Sequence, residues 1–130
     1  MNFPVTEFQG KLKRSGKVTL DANGNGVIDF SPTNARQRWE VTGVVVSTDQ
    51  GQTTTPVPVA EVLVNGVSYG QITVTSTGQS LGATWSGSQD TFSGTAEMGP
   101  CDNLSVSFTG GIPGTIAFAN ILGSFFTRTA

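Results

Sequence analysis

Residues Asp21, Asn23, Asn25, Gly26 and Asp29 fall at positions 1, 3, 5, 6 and 9 of an EF-hand calcium loop. Such a loop gathers oxygen ligands around a hard cation and closes with a bidentate acid at position 12. Here that position is Pro32, which has no carboxylate. The flanks, residues 17–20 and 27–30, are short, β-branched and half polar rather than helical. They read as two strands joined by an Asn/Gly turn, because Asn and Gly tolerate the positive φ of tight hairpins. The expectation is a β-hairpin that resembles a metal loop. Calcium held by Asp21, Asn23, Asn25 and Asp29 is the alternative, and no cofactor is expected.

Other chemistry is poorly supplied. The chain has no histidine, which removes the commonest general base and the commonest transition-metal ligand. Cys101 stands alone between Met98-Gly99-Pro100 and Asp102-Asn103, without the basic neighbours that activate a thiol, and reads as a structural cysteine. The nine acidic residues are scattered, and Gly110-Gly111-Ile112-Pro113-Gly114 lacks the lysine of a phosphate-binding loop. An enzyme is not expected.

Binding is better served. Trp39, Tyr69 and Trp85 could form a flat sugar-stacking platform. Trp39, however, opens a valine-rich strand and is assigned to the core, which leaves Trp85 as the candidate contact. Lys11, Lys13, Arg14 and Lys17 crowd four of the seven basic residues into one segment. Net charge is +3 over residues 1–17 and −5 over 18–130. A basic arm carrying Phe3, Phe8 and Leu12 can be steered onto an acidic neighbour and dock there. The C-terminal run from Ile116 to Phe126 is apolar on both faces, so it needs cover from two layers or from another subunit. The candidate partner-binding residues are Phe3, Phe8, Lys11, Lys13, Arg14, Trp85, Phe125 and Phe126.

The elements that must position these residues are strands. Seventeen glycines, 12 % charged residues and frequent Thr, Ser and Val suit short strands with many turns. Residues 39–48 form a long strand, central because both faces carry valine. Residues 57–64 form the next, with Asn65-Gly66 turning into 67–74. Residues 75–97, poor in apolar side chains, supply one or two short edge strands and loops. Leu104 to Thr109 alternates strictly, and residues 115–127 can return antiparallel to it. Seven to nine strands give one all-β domain, a single antiparallel β-sandwich of jelly-roll type over 16–130, preceded by an extended N-terminal arm over 1–15. No secretory signal or membrane-spanning run is read in the chain, which points to synthesis in a host cytoplasm.

Three segments together resemble a known group: Gly16 to Pro32, Trp39-Glu40-Val41-Thr42-Gly43-Val44-Val45-Val46-Ser47-Thr48, and Leu104 through Gly110-Gly111-Ile112-Pro113-Gly114. The pattern resembles small all-β proteins encoded among the virion structural genes of tailed phages infecting actinobacteria. That resemblance implies a non-enzymatic structural protein of the virion, a minor tail or tail-tip component or a capsid decoration protein. Its partners would be other virion proteins and copies of itself, with no membrane or nucleic acid involved. A carbohydrate-binding or calcium-stabilised adhesion module, with a glycan as partner, is the alternative.

Overall fold

The chain is described by a computed structural model covering residues 7–49, 56, 58–73, 75–77, 80–86 and 96–128. Among these residues it forms ten strands and no helix: β1 (Glu7–Thr19), β2 (Gly26–Phe30), β3 (Gln37–Thr48), β4 (Val59–Val64), β5 (Val67–Thr73), β6 (Thr75–Thr77), β7 (Ser80–Ser86), β8 (Ala96–Met98), β9 (Leu104–Thr109) and β10 (Ile116–Arg128). They build two antiparallel sheets. The first runs β1-β10-β3-β7-β6, with β8 also on β3; the second runs β2-β9-β4-β5.

The pairing is that of one long hairpin rolled up. β1 pairs β10, β2 pairs β9, β3 pairs β7 and β8, and β4 pairs β5. Successive pairs alternate between the sheets, which is the jelly-roll arrangement. The core fills the space between them with Leu12, Trp39, Val41, Val44, Val46, Ala117, Ala119 and Ile121 from one side. Ile28, Phe30, Ala60, Val62, Leu104, Val106 and Phe108 come from the other. Burial alternates along β4, β8 and β9, as a sheet with one wet face requires.

Several expectations hold. Trp39 is a core residue with its indole N–H donating to Gln37 Oε1 at 2.9 Å. β3 is central, flanked by β10 on one edge and by β7 and β8 on the other. Asn65 and Gly66 have φ of 52° and 82° and join β4 to β5, as a type I′ hairpin demands.

Three expectations are corrected. β1 and β2 are not a hairpin, since β1 belongs to one sheet and β2 to the other. The loop between them bonds instead to the β9–β10 loop: Leu20 N donates to Thr115 O (2.8 Å), Gly111 N to Gly24 O (2.9 Å) and Gly110 N to Asn25 Oδ1 (3.1 Å). The loops lie so close that a Cβ on Gly24 would sit 1.9 Å from Gly111 O. Likewise β10 does not return along β9; it crosses to the other sheet and lies between β1 and β3. Residues Glu7 to Ser15, assigned to an arm, are strand in continuous register with β10, and the boundary at 15 falls inside β1. The cause is Leu12, 2 % exposed, which anchors the strand between the exposed Lys11 and Lys13. Cys101, read as a structural cysteine, lies exposed in a turn.

Candidate functional site

The β1–β10–β3 surface gathers the residues of interest, and strand parity decides which way each one faces. Residues paired across an antiparallel ladder project from the same face. The row Gly10, Phe125, Trp39 and Met98 therefore faces the core, where Trp39 and Met98 are buried. Phe125, read from sequence as a partner contact, packs against that core with its ring across Gly10. Arg14 pairs with the buried Ile121, and its guanidinium lies 5.6 Å from the centroid of the Trp39 ring. It closes the open edge of the core by a cation–π contact.

The alternate positions face outward. Lys11, Lys13 and Lys17 stand exposed on β1, an edge strand, where lysines discourage unwanted strand pairing. None of the three makes an ion pair among the described residues. Beside them on β10 lie Phe118, Leu122 and Phe126, with Val45 next on β3. Leu122 is 37 % exposed, the three others are half-buried, and Arg38 covers the Phe126 ring at 4.1 Å. A shallow cleft of about 280 Å³ is lined by Ser15, Gly16, Lys17 and Phe118. The outer face is thus an apolar stripe bordered by uncompensated positive charge, a surface suited to packing against another protein.

Of the residues that sequence reasoning named as contacts, Lys11, Lys13 and Phe126 lie on this face. That reasoning missed Phe118, Leu122 and Val45, whose signal was their shared parity along β10 and β3. Phe3, and the side chains of Phe8 and Trp85, lie outside the described residues. The backbone of Trp85 pairs with Val44 in β7.

The outer face of the second sheet is different in kind. Asp29 Oδ1 accepts from Ser105 Oγ (2.7 Å) and Asn103 Nδ2 (3.2 Å), and these bonds hold its carboxyl below the usual range. Asp102 is likewise lowered by the Gly99 N–H (2.7 Å) and by Asn65 Nδ2 (3.0 Å). Glu61 accepts from Gln71 Nε2 at 2.8 Å.

Three of the four residues of the calcium alternative have partners within the protein. Asp21 Oδ1 takes the backbone N–H groups of Asn23 (2.8 Å) and Asn25 (3.0 Å), an Asx-type turn. Asn25 turns to Gly110, and Asp29 faces β9 across the sheet. Among the described residues no three acidic or thiol side chains converge.

No family model matches the chain, and no curated protein matches it either. Among solved structures it is similar to dimeric latent PorU from Porphyromonas gingivalis, at 12 % identity and a TM-score of 0.33. The match covers 86 % of this chain and 10 % of that one, so the chain spans about a tenth of that protein's length.

Proposed function

We propose that this chain is a non-enzymatic structural component of a tailed-phage virion, a minor tail or capsid decoration protein working through protein–protein contacts. The observation that carries the reading is the outer face of the six-stranded sheet. Phe118, Leu122 and Phe126 line one strand there, with Lys11, Lys13 and Lys17 unpaired beside them. The jelly roll supports it by giving a two-sheet slab whose outer faces are available for contacts. A sequence without histidine and with one exposed cysteine suits a packing role better than catalysis. The resemblance over Gly16 to Gly114 supplies the phage setting.

The test is mass spectrometry of particles purified from a lysate that makes this chain. The chain is expected in the particles at a fixed stoichiometry, and its copy number separates capsid decoration from the tail tip. A chain found free in the lysate and absent from particles overturns the reading.

A further inference from the structure

The two outer faces of the sandwich carry uncompensated charge of opposite sign. On the six-stranded sheet, Lys11, Lys13 and Lys17 are exposed along β1 and form no ion pair among the described residues; Glu40 is held by Arg38 at 3.7 Å, and the exposed Glu97 stands away from the lysines on β8, leaving the face positive along β1. The four-stranded sheet, β2, β9, β4 and β5, contains no lysine or arginine. It carries Asp29 and Glu61, whose hydrogen-bond partners Ser105, Asn103 and Gln71 are all neutral. Each face also offers apolar area: Phe118, Leu122 and Phe126 on the first, and on the second Val27, 50 % exposed on β2, and the half-buried Leu63 on β4, with β9 between them.

From this we infer that the occupant of the lysine-edged face is the acid-bearing face of a second copy, so that the chain stacks head to tail. The inference rests on the reading of that face as a docking surface and names what docks. Stacking like on like sets lysines against lysines, or carboxylates against carboxylates. Only the unlike pairing brings opposite charges together around two apolar centres. Sheets packing face to face need no new backbone geometry, since their pleated surfaces interdigitate at a small angle. A heterologous contact of this kind repeats, and it closes into a ring or extends as a fibre according to the rotation per step.

Sedimentation velocity on the full chain tests it. Wild type is expected to associate with rising concentration, and about tenfold or more weakly at high salt, because exposed charges are screened. Two variants sharpen the result. Lys11→Glu/Lys13→Glu/Lys17→Glu makes both faces acidic, and Val27→Lys/Glu61→Lys makes both basic. All five positions point outward, and circular dichroism with thermal melting verifies that each variant folds. Each is expected to stay monomeric alone, and an equimolar mixture is expected to assemble at one to one. A wild-type chain that is monomeric at every concentration in low salt overturns the inference. So does association of the Val27→Lys/Glu61→Lys variant by itself, which means like-on-like contact, or a mixture that stays monomeric. A monomeric chain still found in particles leaves the virion reading standing, and an assembling chain absent from them removes only that reading.

Discussion

The ring of Phe125 lies across Gly10, its register partner on the neighbouring strand, so closely that a Cβ there would stand 2.4 Å from Cζ. The pair seals the end of the core beside Trp39, and its two residues specify each other. Gly10→Ala forces the ring to move and is expected to cost about 1–3 kcal/mol, as overpacking does. Urea denaturation measures it. Phe125→Ala removes the obstacle, so the double variant should be more stable than the sum of the two losses predicts. Strict additivity would mean that the ring is not the barrier.

A second pair separates backbone from side chain. Asn65 has a positive φ, its Oδ1 accepts from Asn103 N at 2.9 Å, and its Nδ2 donates to Asp102 at 3.0 Å. Asn65→Gly keeps the turn and loses the bonds, at about 0.5–1.5 kcal/mol for each. Asn65→Ala adds the left-handed strain of an L side chain, about 1–2 kcal/mol more. Thermal melts of the two variants should fall in that order, with alanine the lower.

At the β1–β2 loop, Asp21 serves the backbone of its own turn. Asp21→Ala is therefore expected to destabilise by about 1–2 kcal/mol, two exposed turn bonds being lost. The loss should be the same with calcium or with chelator. A melting point of wild type that rises with added calcium would restore the metal reading of Asp21, Asn23, Asn25 and Asp29.

Asp29 and Asp102 give stability a dependence on acid. Both carboxyls titrate below their ordinary value of 3.8 in the folded chain, because donors bind the charged form. A depressed folded pKa contributes stability that is present above the unfolded value and is lost as pH falls through the folded one. The urea midpoint should accordingly hold at neutral pH and decline from about pH 4 downward. Asp29→Asn should flatten part of that decline. An unchanged slope in Asp29→Asn would show that the Ser105 and Asn103 bonds do not tune the group.

Much of this fold was legible in the sequence, and the illegible part has identifiable causes. Strict alternation from Leu104 to Thr109 and the Asn65-Gly66 turn are local signals, and both translate directly into β9 and the β4–β5 hairpin. Pairing partners are not local. Nothing in Lys17–Thr19 indicates that its mate is Ile116–Phe118 rather than the nearby Val27. The valines of β3 looked two-faced because its ladder with β10 is irregular where Leu122 pairs Gly43 and Gly123 pairs Val41. The shift at Thr42 swaps parity, so Val41, Val44 and Val46 all face inward while Val45 faces out. Basic residues hid β1, since Lys11, Lys13 and Lys17 read as a docking arm outside the sandwich until Leu12 is seen buried among them. The same blindness placed Phe125 and Phe126 together as contacts, although successive strand residues must point to opposite sides.

The rolled-hairpin pairing also bears on how the chain comes off the ribosome. β10, the last of the strands to be made, lies between β1, the first, and β3. Until it emerges, β1 has no mate and one whole edge of β3 is bare. At about 5–20 residues per second the nascent chain spends several seconds in that state. Completion of the six-stranded sheet therefore waits for β10 and is slow, as non-local pairing makes it. The lysines of β1 stand on an unpaired strand through that interval, where their charge discourages pairing with the wrong partner.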